Sequence, residues 1–131
     1  MMENGFTLTE VFRTTASEIY NAWLNSDGHS AITGSPAKVD GTVGGKFSAW
    51  DGYIFGKTLE LTVDKRIVQA WRTAEFADDA PDSRLEVSLE NVEGGVKITL
   101  THSNMPEDQV ESYRQGWEDF YFKPMREYYG E

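Results

Sequence analysis

Apolar and polar residues alternate with a period of two through most of the stretch from Ser35 to Thr101. Successive side chains of a β-strand point to opposite faces of a sheet, so this pattern predicts a series of strands with one buried face. The segments on either side of Glu93-Gly94-Gly95 alternate most regularly and predict a β-hairpin. Asp51-Gly52 predicts another tight hairpin turn, because both residues tolerate a positive φ. Antiparallel strands therefore dominate the middle of the chain.

Helical signals lie on both sides of these strands. A first strand is predicted from Phe6 to Arg13, and Thr15 and Glu18 then have the spacing of a capping box, which starts a helix. A second short helical turn is predicted up to Thr33. We therefore expect short helices directly after the first strand.

A long helix is predicted at the end of the chain, running from about Pro106 to Tyr129. Pro124 cannot donate a backbone hydrogen bond, so we expect a kink, or the end of the regular helix, near Phe120 to Lys123. The order of elements predicts an α+β fold in which a curved antiparallel sheet of about six or seven strands wraps around this helix. The apolar residues that recur along the helix at spacings of three and four are Val110, Tyr113, Trp117, Phe120, Tyr121, Met125 and Tyr128.

Length and charge limit the classes of partner. We expect one domain over residues 1–131, since a chain of this length can bury a core of its own. The formal net charge is -10, and an acidic surface repels phosphate backbones and anionic lipids, so neither nucleic acid nor a membrane is an expected partner. The segment from Met1 to Thr9 lacks the basic region and apolar run of a signal peptide, and we expect a cytoplasmic protein.

The sequence carries no familiar catalytic or metal motif. There are no cysteines, which excludes thiol catalysis, thiolate metal sites and disulfides. Gly34-Ser35-Pro36 is not a nucleophile elbow, and Gly41 to Lys46 lacks the ending of a phosphate-binding loop. His29 and His102 are too few for a site of several histidines. We therefore expect no catalytic residue, no metal and no cofactor.

Four stretches of the sequence together carry a family resemblance: Val43 to Phe47, Gly56 to Leu61, Ile67 to Arg72 and Gly116 to Phe122. Through their order and spacing the chain resembles the START-like, helix-grip (SRPBCC) superfamily, and within it is most similar to the domain of the activator of heat-shock protein 90 ATPase homologues. The resemblance extends over nearly the whole chain, from about Phe6 to Tyr129. The chain departs from the pattern near Gly28 to Ile32, where relatives often carry tryptophan.

The resemblance implies a curved sheet that grips the last helix, with an apolar cavity between them. Eukaryotic members pair this domain with a second one and stimulate a chaperone's ATPase. Many single-domain relatives are taken to bind small apolar molecules. The resemblance therefore implies either a small ligand or a chaperone as the partner.

Two polar residues are candidates for the inner face of the sheet. His102 continues the parity of Val96, Ile98 and Leu100, so it is predicted to point inward, either as a cavity histidine or as a core-edge histidine bonded to the backbone. Glu10 shares a strand face with Phe6, Leu8 and Phe12. It is either a polar anchor for a ligand or lies at a strand end where it reaches solvent. A meeting of the two across the cavity would strengthen the case for a polar site.

Our first hypothesis is a non-catalytic protein that binds a small apolar or amphipathic molecule between the sheet and the last helix. The second is a protein-interaction domain of the chaperone-regulator type, whose acidic surface, especially Ala77 to Ser83, meets a basic partner. The third is a cyclase-like enzyme, which needs His102 or Glu10 to face the cavity. A stripe of aromatic residues is more typical of a plain core than of a cavity wall, although in the implied fold the two are the same surface. The predicted ligand contacts are Glu10, Phe47, Tyr53, Phe55, Trp71, His102, Trp117, Tyr121 and Met125.

Overall fold

Seven antiparallel strands form one sheet in the computed structural model, which describes residues 4–130. Their order across the sheet is β1-β7-β6-β5-β4-β3-β2, so consecutive strands from β2 to β7 are paired, and β1 pairs with β7. The predicted α+β class and the curved sheet are confirmed. The strands are β1 Phe6–Phe12, β2 Lys38–Val39, β3 Lys46–Ala49, β4 Ile54–Thr62, β5 Arg66–Thr73, β6 Ser83–Val92 and β7 Gly95–Ser103.

The buried face of the sheet follows the predicted alternation. In the hairpin of β6 and β7, Val87 lies opposite Leu100, and both are buried. The edge strand β1 extends this face, since Phe12 lies opposite Val96 and both are buried. Burying apolar surface of this kind contributes roughly 25 cal/mol per Å² to the free energy of folding, and it holds the sheet against the helices.

Two short helices follow β1, as predicted. The Thr15 hydroxyl accepts a hydrogen bond from the Glu18 backbone N–H at 3.2 Å, which caps the first of them. The Asn25 side chain caps the second by accepting from the Gly28 N–H at 2.8 Å. The helices are α1 Ala16–Trp23 and α2 Ser26–Thr33.

The last helix, called the terminal helix below, contains a π turn, which is a helical turn with one extra residue. Pro124 lies in the first turn of its last piece and has no N–H to give to the preceding turn. In the π turn the hydrogen bonds reach back five residues instead of four, so the Lys123 N–H donates to the Glu118 carbonyl. The predicted departure from regular helix near Phe120 to Lys123 is confirmed. The pieces are a 3-10 turn Glu107–Gln109, helix α3 Val110–Trp117, the π turn Glu118–Phe122 and helix α4 Lys123–Tyr128.

The terminal helix packs its aromatic stripe against both the sheet and α1. The ring centroid of Trp117 lies 5.9 Å from that of Trp71 on β5 and 6.1 Å from that of Trp23 on α1. All three indoles are buried, so the sheet grips the helix through aromatic contacts. Within residues 4–130, no helix has both the length and the apolar content to cross a bilayer.

Candidate functional site

A cavity of about 350 Å³ lies between the sheet and the terminal helix and opens to solvent. Its wall is almost entirely apolar and rich in aromatic rings, so it suits an apolar molecule. The residues that line it are Trp50, Tyr53, Ile54, Trp71, Ser112, Tyr113, Gly116, Trp117, Phe120 and Tyr121.

The helical side of the cavity comes from two rows of residues with a spacing of four. One row is Tyr113, Trp117 and Tyr121, and the other is Ser112, Gly116 and Phe120. Gly116 leaves open space in the second row, since a Cβ added there would meet only the Phe120 ring, at 3.8 Å. The cavity therefore depends on a missing side chain in the middle of a helix.

The sheet side of the cavity comes from β4, β5 and the turn that precedes β4. Ile54 and Trp71 lie on the inner face of their strands and are buried. The Tyr53 N–H donates to the Trp50 carbonyl at 3.1 Å, which closes the turn Asp51-Gly52. Both turn residues have a positive φ, so the predicted hairpin turn is confirmed. The turn brings two further aromatic side chains to the cavity mouth.

Hydroxyl groups near the mouth are bonded to one another. The Tyr113 hydroxyl bonds the Thr73 hydroxyl at 2.7 Å and donates to the Gln109 side-chain oxygen at 2.5 Å. The Tyr53 hydroxyl donates to the Glu75 carboxylate. Burial, and then this bond to Glu75, raise the pKa of Tyr53 above its usual range, so the phenol stays neutral at physiological pH.

His102 is buried beside the cavity and is fully hydrogen-bonded. The Trp117 indole N–H donates to its Nδ1 at 3.0 Å. Its Nε2–H therefore donates to the Ser83 hydroxyl at 2.8 Å, and that hydroxyl donates to the Trp71 carbonyl at 2.6 Å. Burial lowers the pKa of His102 to about 3, so the ring is neutral at physiological pH.

His29 forms a second buried network, on α2. Its Nδ1–H donates to the Trp23 carbonyl at 2.9 Å, and the Tyr121 hydroxyl donates to its Nε2 at 2.7 Å. Burial lowers the pKa of His29, although its bond to the backbone acts in the opposite direction. Burial therefore keeps both histidines in the neutral form, and each uses both ring nitrogens in hydrogen bonds within the protein.

A comparison with protein-family models decides the family of the chain. The model described as "Activator of Hsp90 ATPase homolog 1-like protein" matches residues 13–130. The chain belongs to this family. The resemblance inferred from the sequence is therefore confirmed.

Relatives of known sequence or structure agree with this membership of the activator family. The human "Activator of 90 kDa heat shock protein ATPase homolog 1" is 27% identical over 124 residues, which are 95% of this chain and 36% of that protein. The chain thus spans about a third of the length of the curated relatives it matches first.

Solved structures of similar length show the same fold. An HSP90 activator from Plasmodium falciparum is 29% identical, has a TM-score of 0.81, and is matched over 94% of this chain and 92% of its own. The Aha1 dimer from Colwellia psychrerythraea has a TM-score of 0.75 at 20% identity, over 88% of this chain and 89% of its own, and shows the fold alone.

Four of the predicted contact residues line the cavity of this family member: Tyr53, Trp71, Trp117 and Tyr121. Three more are buried in the core but do not line it: Phe47, His102 and Met125. His102 is a buried, hydrogen-bonded histidine rather than a cavity histidine, but its partners are the side chains of Ser83 and Trp117 instead of the predicted backbone group. It makes its hydrogen bonds inside the protein and has none left for a ligand.

Phe55 does not face the cavity, and its predicted orientation is corrected. It lies opposite Arg72 and Ser48 on the outer face of the sheet and is 38% exposed. Its neighbour Ile54 points inward instead, since successive side chains of a strand alternate between the two faces and Ile54 lies opposite the buried Thr73. Phe55 is therefore an exposed side chain of the convex face.

Glu10 does not reach the cavity either. Its carboxylate accepts a hydrogen bond from Arg126 of the terminal helix at 3.1 Å, and Arg126 is also bonded to Glu118. Glu10 lies opposite Ile98, four positions from His102 along β7, so the two do not meet. They do not supply the acid or base that a cyclase-like enzyme requires.

Six lining residues were not among the predicted contacts: Trp50, Ile54, Ser112, Tyr113, Gly116 and Phe120. The helical ones could have been found, because a spacing of four from Trp117 and Tyr121 leads to Tyr113, and the adjacent row holds the others. His29 carried no local signal, since its partners come from α1 and the terminal helix.

Proposed function

We propose that this chain is a non-catalytic binding protein that holds a small apolar or amphipathic molecule between the sheet and the terminal helix. The observation that carries the proposal is the apolar cavity of about 350 Å³ lined by three indoles. Its volume lies within the roughly 300–1,000 Å³ range of small-molecule sites. Rigid rings supply contact area to a ligand at low entropic cost, and roughly 25 cal/mol is gained per Å² of apolar surface removed from water.

Gly116 in the cavity wall also supports the proposal, because its missing side chain keeps the cavity open. Gly116 sits inside helix α3, where glycine is roughly 0.5–1 kcal/mol less favourable than alanine. Empty space beside it costs further stability, because the surrounding side chains lose packing partners. Since an alanine Cβ would meet nothing closer than 3.8 Å, the chain gives up stability at this position and gains accessible volume.

Filling the cavity tests the proposal directly. We expect Gly116→Leu to weaken binding of the bicyclic hydrocarbon tetralin at least about tenfold, because losing contact with two methylene groups already costs about 1.6 kcal/mol. Tryptophan fluorescence can follow the titration, since Trp50, Trp71 and Trp117 line the cavity.

Gln115→Leu is the matched control, because it adds the same side chain to the exposed face of α3. It should bind tetralin like the wild type. Loss of binding in both variants, or in neither, would contradict the assignment of the cavity as the site. Native mass spectrometry of protein purified from cells would then show which molecule the wild type carries and the Gly116→Leu variant lacks.

A second candidate function is stimulation of the ATPase of an Hsp90-class chaperone. It is favoured by the HSP90 activator from Plasmodium falciparum, which is 29% identical and matches this chain over 92% of its own length. The loop between β5 and β6 supplies an acidic surface for such a contact. Arg72 holds the loop by donating to the Ala77 and Ala80 carbonyls and to Asp82, which leaves Asp78 and Asp79 exposed.

An ATPase assay with an Hsp90-class chaperone from the organism that encodes this chain tests this second function. We expect stimulation that weakens as salt is raised, and that falls when Asp78 and Asp79 are both changed to asparagine. Glu90→Gln with Glu93→Gln removes the same charge from exposed positions at the other end of β6 and should have little effect. A chain that fails to stimulate the ATPase at low salt would exclude this function.

A further inference from the structure

Trp50 adopts a backbone conformation that a bulky residue rarely takes. Its φ is 51°, in the left-handed region, directly before the turn residues Asp51 and Gly52. Glycine, asparagine and aspartate tolerate this region, whereas a side chain such as tryptophan is held there at a cost of roughly 1–3 kcal/mol. Trp50 follows the last backbone pair of β3 and β4, which joins Ala49 and Ile54, and in this conformation it lines the cavity.

The same indole carries a donor without an acceptor. Its Nε1 is buried, and no hydrogen-bond partner is found for it among residues 4–130. Leaving a buried donor unpaired costs about 1–3 kcal/mol, so such a group calls for an explanation. By contrast, the Trp117 N–H and the Tyr121 hydroxyl of the same cavity both donate to histidines.

The ring of Phe120 packs edge-on against the Trp50 indole, with 5.2 Å between the centroids. Phe120 is 53% exposed and belongs to the π turn, so its side chain has room to swing toward solvent. Because the Trp50 Nε1 is buried, a bound molecule can reach it only if a side chain packed on the indole moves, and Phe120 has that freedom.

We propose that the Trp50 indole N–H is the polar anchor of the cavity and selects ligands that carry a hydrogen-bond acceptor beside an apolar body. This inference rests on the proposed ligand-binding function. An indole N–H can only donate, so the ligand group must accept. The chain has a formal net charge of -10 and Glu75 lies at the mouth, which disfavours an anionic acceptor. The ligand class is therefore a small neutral apolar molecule with a carbonyl or similar oxygen.

A matched pair of probes tests the anchor. α-Tetralone and tetralin share one bicyclic skeleton and differ by a ketone oxygen, and each is titrated into the wild type and into Trp50→Phe. The variant keeps an aromatic ring and removes the N–H. We expect the ratio of ketone affinity to hydrocarbon affinity to fall about fivefold in the variant, which is the contribution of one neutral hydrogen bond. In this ratio, a change in cavity shape that alters the affinity of both probes equally cancels.

A second measurement uses only the wild-type protein and so does not depend on how the variant folds. In a 15N–1H spectrum, the indole N–H resonance of Trp50 should move downfield with α-tetralone and not with tetralin. An unchanged affinity ratio together with an unmoved indole resonance, while tetralin still binds, would overturn the anchor and leave the ligand-binding function standing. Failure of both probes to bind the wild type would overturn both.

Discussion

Replacing Trp117 with alanine is expected to lower the free energy of unfolding by about 3–5 kcal/mol. The indole is 3% exposed, and its ring centroid lies 4.5 Å from that of Tyr121 and 5.9 Å from that of Trp71. The substitution leaves a void in this cluster and also removes the donor that satisfies His102 Nδ1. Urea denaturation at pH 7, followed by far-ultraviolet circular dichroism, measures the loss without relying on tryptophan emission.

Tyr128→Ala is the control for removing an aromatic ring from the same helix. Tyr128 is 53% exposed, so its replacement should change the free energy of unfolding by less than about 1 kcal/mol. If Trp117→Ala also lowered the free energy of unfolding by less than about 1 kcal/mol, a packed core around Trp117 would be contradicted. The indole would then border empty space on more sides than its ring contacts indicate.

Acidification is expected to destabilise the fold through His102. Burial lowers its pKa from 6.5 to about 3, while the unfolded chain keeps a value near 6.5. Between these values the unfolded state binds more protons, so the stability is fully present above pH 6.5 and is lost as the pH falls toward 3. At pH 5 the loss from this group is about 2 kcal/mol relative to pH 7. The added proton would sit on Nδ1, where the Trp117 N–H already points.

His102→Gln isolates this effect. A glutamine can accept from Trp117 and donate to Ser83 without titrating, so its stability should depend less steeply on pH between 7 and 4. The pKa of His29 is also lowered by burial, and its contribution has the same sign, but it is present in both proteins and cancels in the difference. Unfolding free energies that follow the same pH dependence in both proteins would contradict the role of His102.

Local patterns predicted the elements of the fold well. The alternation around Glu93-Gly94-Gly95 predicts the β6–β7 hairpin because each strand buries one face, and Thr15 with Glu18 predicts the start of α1 because the cap is made within one turn. Pro124 predicts the irregular segment before it for an equally local reason, its missing N–H. In each case the cause and the consequence lie within a few residues of one another.

The cavity was predicted less completely, because its wall joins separate elements. Tyr53 and Phe55 are both predicted ligand contacts, but Tyr53 precedes β4 and lines the cavity from the turn, whereas Phe55 lies within β4 and points outward. Parity placed His102 on the inner face correctly. Its partners, Ser83 and Trp117, come from another strand and from the terminal helix, which the sequence alone does not bring together.

The π turn lets the terminal helix carry one residue more than a regular helix while its two ends keep their buried faces. Each residue of an α-helix advances the direction of the side chains by about 100°, so an extra residue in regular helix would turn every side chain that follows it. The π turn absorbs that residue locally, and both Trp117 before it and Met125 after it are buried. Deleting one residue of the turn, such as the exposed Asp119, would leave a turn of ordinary α length, so Met125 should stay buried.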